Sequence, residues 1–219
     1  MFIVSIGASK GGVGKTTLAL NLAVEAARRG LRVWLVDADM QGSASTALAE
    51  RARAEREPTI ATAHYTDADS LRAQLKAQAG SFDLVLVDAG GRDSKSLRVA
   101  LALSQLVLVP FQPRSIDVWA LEHMADLVQQ LRDAGGQIEA LAVLNLADIQ
   151  GQDNRDAAAA VVSFPALEYL DCPIKRRKAF ANAAGEGLGV AEHEPGDHKA
   201  RAEIEALYLA LIRRIGGLA

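Results

Sequence analysis

Gly7-Ala8-Ser9-Lys10-Gly11-Gly12-Val13-Gly14-Lys15-Thr16-Thr17 comes directly after the apolar run Phe2 to Ile6 and directly before a stretch free of Gly and Pro until Gly30. Strand, glycine-rich loop and helix in that order are the parts of a phosphate cradle. Gly11, Gly12 and Gly14 let the backbone turn its N–H groups inward around phosphate oxygens with no Cβ in the way. Lys15 places an ammonium where β- and γ-phosphates would lie, and Thr16 offers a hydroxyl to Mg2+. The positive end of the following helix acts in the same direction. The pattern predicts a nucleotide-binding loop set on a strand of a parallel sheet.

The rest of the chain repeats that alternation. Phe2 to Ile6, Arg32 to Val36, Leu84 to Val87, Leu106 to Val109 and Ala140 to Leu144 are short, continuous apolar runs, as strands covered on both faces require. Between and after them, Thr16 to Arg29, Asp69 to Gln78, Ser94 to Ala102 and Ile116 to Asp133 carry helical spacing, and the alanine run Ala157 to Ala160 reads as helix. Lys199 to Ile215 places Ile204, Leu207, Tyr208, Leu211 and Ile215 on one stripe, the mark of an amphipathic closing helix. Region 40–68 has weak periodicity and reads as a helix after Gln41 followed by irregular chain. The expected fold is α/β, doubly wound and mostly parallel with helices on both faces, as one domain over residues 1–219.

Two further strand ends carry acid. Val36-Asp37-Ala38-Asp39 sets two carboxylates at the carboxyl end of a strand, where ligands bind in such sheets. Leu84-Val85-Leu86-Val87-Asp88 is an apolar strand delivering one carboxylate, Asp88, suited to Mg2+ held directly or through water.

Lys10-Gly11-Gly12-Val13-Gly14-Lys15-Thr16-Thr17 resembles the deviant Walker A motif of the ParA/MinD family of ATPases. The likeness spans Phe2 to about Val190, with its sharpest motifs in the first ninety residues. It implies a nucleotide set of Gly11, Gly12, Val13, Gly14, Lys15, Thr16 and Thr17 for ATP and Mg2+. It implies that Lys10 reaches across a face-to-face dimer to the partner's ATP, which makes dimerisation depend on nucleotide. Asp37-Ala38-Asp39-Met40-Gln41-Gly42 is similar to the family's switch segment. By that resemblance Asp39 positions or polarises the attacking water, while Asp37 supports the metal and the loop, with Thr16 and Asp88 as the other metal-side residues. Met40 stands where the family usually has proline, a change expected to loosen the switch. Gly90-Gly91 likewise lacks a usual proline and is expected to be mobile. Leu108 to Asp117 resembles the family's strand–loop–helix after the Walker B aspartate, and Asn145 ends a strand at a place near adenine.

Pro173-Ile174-Lys175-Arg176-Arg177-Lys178 looks like the point in short ParA proteins where a strand ends and an arginine-bearing helix begins. Four consecutive cations make a local patch that can track a phosphate backbone, so Lys175, Arg176, Arg177 and Lys178 are the expected contacts to non-specific double-stranded DNA. The resemblance implies a ParB-like or other adaptor that stimulates hydrolysis, and a cytoplasmic, nucleoid-associated protein. No helix-turn-helix precedes the first strand, so autorepression is not expected.

Composition sets outer bounds. The chain has 219 residues, half of them hydrophobic, and a formal net charge of −3, so contact with nucleic acid has to be local. No apolar run approaches the roughly 18 residues that span a bilayer, and no secretory leader is evident. The single cysteine, Cys172, supplies neither a disulfide nor the cysteine pair of nitrogenase-iron-protein-like reductases. Amide synthases share the loop, but no substrate-site signature for them stands out. The other alternative is a MinD-like membrane-cycling ATPase anchored by Ala210 to Leu218. Glu203 and Glu205, and the lack of Trp or Phe in that tail, favour packing on the sheet instead.

Overall fold

The computed structural model describes residues 1–78, 80–91, 93–149 and 151–216, with the side chains of residues 115–119 outside that description. Ile116 and Asp117 as side chains, and Gly217-Leu218 at the tail, therefore lie outside the described residues.

Seven parallel strands form one sheet. They are β1 (Phe2–Ile6), β2 (Val33–Ala38), β3 (Ala61–His64), β4 (Leu84–Ala89), β5 (Leu106–Phe111), β6 (Glu139–Ala147) and β7 (Glu168–Lys175), in the spatial order β3-β2-β4-β1-β5-β6-β7. The intervening helices are α1 (Lys15–Arg28), α2 (Ser43–Arg53), α3 (Ala68–Ala77), α4 (Lys95–Leu103), α5 (Ser115–Asp133), α6 (Gln152–Ala160), α7 (Lys178–Gly185) and α8 (His198–Arg214). After β1 the chain winds toward β2 and β3, and after β4 it crosses back and continues through β5 to β7. The reversal lies beside β1, so the crevice of this sheet opens where β1 runs into its glycine loop.

Why the central strands are apolar without alternation follows from the two cores. In β4, Leu84 and Leu86 face the layer of α1, α2, α7 and α8, while Val85 and Val87 face the layer of α3, α4 and α5. A period-2 strand buried on both sides must be hydrophobic at every position. Asp37 and Asp88 break the rule only at the carboxyl ends, in register with each other.

Region 40–68 differs from its sequence reading. The helix after Gln41 is α2, but the chain beyond it is not wholly irregular: it pairs with β2 as the edge strand β3, from Trp34↔Ala61 to Asp37↔His64. An edge strand that is mostly exposed needs no apolar run, so its sequence gives no signal. The edge strand β7 carries Pro173, tolerable at an edge, and meets β6 with register shifts beside Asn145.

The closing helix uses its stripe as core. Ile204, Leu207, Tyr208, Leu211 and Ile215 are all buried, and Arg29, just after α1, lies 5.1 Å over the Tyr208 ring. These apolar side chains are engaged with the sheet, not offered to a lipid surface. Among the described residues no helix is long and apolar enough to cross a membrane.

Candidate nucleotide site

Gly14 caps α1 with left-handed backbone, φ +85°, and its carbonyl accepts the Leu18 N–H at 3.0 Å. A Cβ here would lie 2.4 Å from Asn145 Nδ2, so glycine is required by conformation and by space. That Nδ2 donates to the Val13 carbonyl at 2.6 Å, and Asn145 is buried. From the far side Gln112 Nε2 donates to the Gly12 carbonyl at 3.0 Å. With Val13 and Gly12 carbonyls tied outward, the loop N–H groups are left for the ligand.

Asn145 thus sits beneath the loop, one N–H of its amide engaged by Val13, while its second N–H and its carbonyl oxygen are the groups that the expected place near adenine would use. The likeness located the residue; its bond to a loop 132 positions earlier sets its role and could not be read locally.

Lys15 is buried at the start of α1, and Gly91 approaches it closely: a Cβ on Gly91 would lie 3.1 Å from Lys15 Nζ and 3.3 Å from the Gly11 Cα. Gly91 therefore serves close approach to the phosphate loop. Thr16 Oγ1 donates to Asp88 Oδ2 at 2.6 Å, while Asp88 Oδ1 is buried without a hydrogen-bond partner among the described residues. Burial pushes the Asp88 carboxyl up to about 7; the neighbouring Asp37 and Asp39 charges act the same way, against the Thr16 hydrogen bond and Lys15. A buried carboxyl with an orphaned oxygen next to a hydroxyl fits a small hard cation, which would favour the ionised form and supply the missing partner. Among the described residues no cluster of three or more His, Cys, Asp or Glu is arranged to hold a metal by itself. The fit is thus to Mg2+, which brings phosphate oxygens and water with it.

Asp37 is fully buried, and both its oxygens are taken by backbone: Oδ1 accepts Asp39 N–H at 3.1 Å and Oδ2 accepts Ser45 N–H at 2.8 Å. It caps α2, whose own N-cap, Gly42, has no side chain to do so. Of the two duties expected of Asp37, support of the loop is the one its bonds perform. Asp39 is partly exposed, its Oδ1 accepts Gln41 N–H at 3.0 Å, and its Oδ2 lies 3.7 Å from where a Gly90 Cβ would be. Asp39, Gly90, Gly91, Lys15, Thr16 and Asp88 form one neighbourhood. Met40 is 87 % exposed and braces nothing. Lys10 is half-buried and lines a small cavity with Phe111 and Met124. Thr17 follows in the first turn of α1, its carbonyl accepting Asn21 Nδ2 at 2.7 Å.

The four cations do not form one face. Arg176 and Lys178 are exposed and Lys175 is half-buried. Arg177 turns toward α8, pairing with Glu203 at 2.6 Å and lying 3.8 Å from Asp197, with its side chain 14 % exposed. Any contact of Arg177 with DNA would compete with this pairing, since the guanidinium already serves a carboxylate inside the molecule. Glu203, 26 positions away, gave no local warning.

A parallel sheet with a glycine loop at its switch point, a lysine and threonine opening the next helix and an aspartate on an adjacent strand define a P-loop NTPase. The chain belongs to the CobQ/CobB/MinD/ParA nucleotide binding domain family, whose profile matches residues 4–190. It is 38 % identical to maintenance of carboxysome distribution protein A of Gloeobacter kilaueensis, over 87 % of this chain and 84 % of that one. It is 31 % identical to the chromosome-partitioning ATPase Soj of Thermus thermophilus, over 88 % of each. The apo structure of McdA from Cyanothece superposes with a TM-score of 0.79 at 20 % identity, covering 96 % of this chain and 99 % of that one. Other structures with this fold hold ATP or Mg-ADP. The chain is accordingly of the ParA/MinD type of positioning or partition ATPase.

Proposed function

We propose that this chain binds Mg-ATP, hydrolyses it slowly alone, forms an ATP-dependent homodimer that binds double-stranded DNA without sequence preference, and leaves DNA when an adaptor stimulates hydrolysis. The observation that carries the reading is the convergence of buried Lys15, the Thr16–Asp88 hydrogen bond and the unpartnered Asp88 oxygen on one glycine loop. In this reading the N–H groups of residues 11 to 17 bind phosphate oxygens, Lys15 neutralises the β- and γ-phosphates, and Thr16 and Asp88 hold the metal side. Asp39 orients a water toward the γ-phosphate, and Asp37 keeps the Asp39 turn fixed to α2. Mg2+ bound there would spread the charge of the phosphate oxygens. Water exclusion rests on the close seating of Gly91 against Lys15 and Gly11.

In this reading dimerisation depends on Lys10, which the family resemblance sets against a partner's phosphates. Lys10→Ala is expected to bind ATP yet remain monomeric, whereas Asp39→Ala accumulates as an ATP dimer because hydrolysis stops. Multi-angle light scattering with ATP and with ADP checks both. A Lys10→Ala protein that dimerises normally would remove the trans role.

DNA contact is assigned to exposed Arg176 and Lys178 and half-buried Lys175. A lone protomer with net charge −3 offers few cations, and a dimer places two sets on one rigid body, raising affinity through effective concentration. Replacing Arg176 and Lys178 with Ala should weaken all duplex sequences alike. It should also flatten the slope of log affinity against log salt by about 0.9 for each phosphate that is no longer neutralised. Arg177→Ala should instead lower stability by freeing Glu203. Fluorescence anisotropy on two unrelated duplexes at several salt concentrations decides; equal binding with ATP and ADP refutes the switch.

A further inference from the structure

β3 ends on His64, in register opposite Asp37, and the next N–H, that of Tyr65, donates to the Asp37 carbonyl at 2.9 Å. From this edge the imidazole reaches over the turn that carries Asp39. Its Nε2 lies 2.8 Å from the Asp39 carbonyl oxygen, and because a carbonyl only accepts, Nε2 is the donor. The same carbonyl accepts the Gly42 N–H at 3.1 Å. The ring packs over Gly42: a Cβ there would stand 3.4 Å from His64 Cε1, and Gly42 has φ +65°.

The Asp39 peptide is therefore gripped at both ends. Its N–H is held by the Asp37 carboxylate and its carbonyl by Gly42 and His64. Met40, between these grips, points into solvent and adds no packing. Among the described bonds to this turn, His64 is the one side chain from another strand, so it ties the Asp39 turn to the sheet from outside its own segment.

We propose that His64 is a positioning residue for hydrolysis: its Nε2–H fixes the Asp39 main chain and so the direction in which the Asp39 carboxylate faces Gly90. This rests on the reading of Asp39 as the water-orienting group. His64 touches neither Lys15 nor the glycine loop in any described hydrogen bond, so its loss acts on the chemical step and leaves nucleotide binding alone. A merely structural edge residue would not separate the two.

The test is steady-state ATP hydrolysis by the full-length chain with Mg2+, comparing His64→Ala, His64→Phe, His64→Gln and Asp39→Ala. His64→Ala should lower kcat about five-fold, near 1 kcal/mol at about 1.36 kcal/mol per decade, with KM within about two-fold of wild type. His64→Phe keeps a ring over Gly42 without a donor and should be as slow. His64→Gln carries an amide donor on a flexible chain and should recover most of the rate. Thermal unfolding of each variant tracks the fold. Wild-type kcat in His64→Ala alongside an inactive Asp39→Ala overturns the positioning role and leaves the proposed function standing. Full activity in Asp39→Ala overturns the reading of Asp39 on which it rests. A His64→Phe protein as fast as wild type, or a His64→Gln protein as slow as His64→Ala at unchanged melting temperature, overturns the donor role. A loss expressed in KM or melting temperature instead of kcat also overturns it.

Discussion

Lys15→Ala is expected to lose ATP affinity by about a thousand-fold. Lys15 is 7 % exposed, walled in by Gly91 and set at the N-terminus of α1, so its charge acts in a partly water-excluded place. Two unit charges about 4 Å apart attract by about 4 kcal/mol at an effective dielectric near 20, roughly three decades in affinity. The helix end and loop N–H groups survive the substitution, so weak residual binding should remain. Lys15→Arg should rescue little, because the nearest space is taken: a single added carbon at Gly91 would already come within 3.1 Å of Nζ, and a guanidinium is larger than an ammonium. Isothermal titration with Mg-ATP measures the loss. Wild-type affinity in Lys15→Ala would mean that the nucleotide site lies elsewhere.

The largest effect on folding is expected at Arg51, on the last turn of α2. Its guanidinium is almost wholly buried and meets Glu192 through two bonds, at 2.7 and 2.9 Å, and the Pro58 carbonyl at 2.8 Å. Glu192 Oε2 also accepts the Gly189 N–H at 3.3 Å. The segment after α7 is seated against α2 at Gly187, φ +68°, where a Cβ would come 2.4 Å from the Ala47 carbonyl. Arg51→Ala strands a buried carboxylate and the Pro58 and Gly187 carbonyls, and breaking such a pair costs about 3–5 kcal/mol. For a chain of this size that corresponds to a fall in Tm of roughly 6–20 °C. Arg51→Met with Glu192→Met should recover much of it, since an apolar pair leaves no charge unpaired. Urea and thermal unfolding of the single and double variants check the cycle; a single variant costing less than about 1 kcal/mol would show that water reaches Glu192.

Sequence legibility tracks how locally each feature is determined. The strands β1, β2, β4, β5 and β6 were readable because burial on both faces leaves a continuous apolar run, and the main helices matched their spacing to within about a residue. β3 was not, because Ala61-Thr62-Ala63-His64 lies at an edge and buries little, and with it went His64 as a neighbour of the switch. Within the site, the glycines, Lys15 and Thr16 sit in one contiguous motif and were legible as a phosphate loop. The bonds that give Asn145, Arg51 and Arg177 their places join residues 132, 141 and 26 positions apart, and no local pattern encodes such pairings. In the basic segment, the charges were countable but their directions were set by α8.

The contact between Gly14 and Asn145 also limits how this loop can be transplanted. Grafting residues 7–17 onto another parallel sheet would carry the glycines and the lysine but leave behind the amide that grips the Val13 carbonyl. The recipient strand would need an asparagine of the same reach, and any side chain at position 14 would meet it at 2.4 Å. Shortening residue 145 would not free position 14, because its left-handed backbone still asks for glycine, so a designer has to carry the glycine and the asparagine across the sheet together.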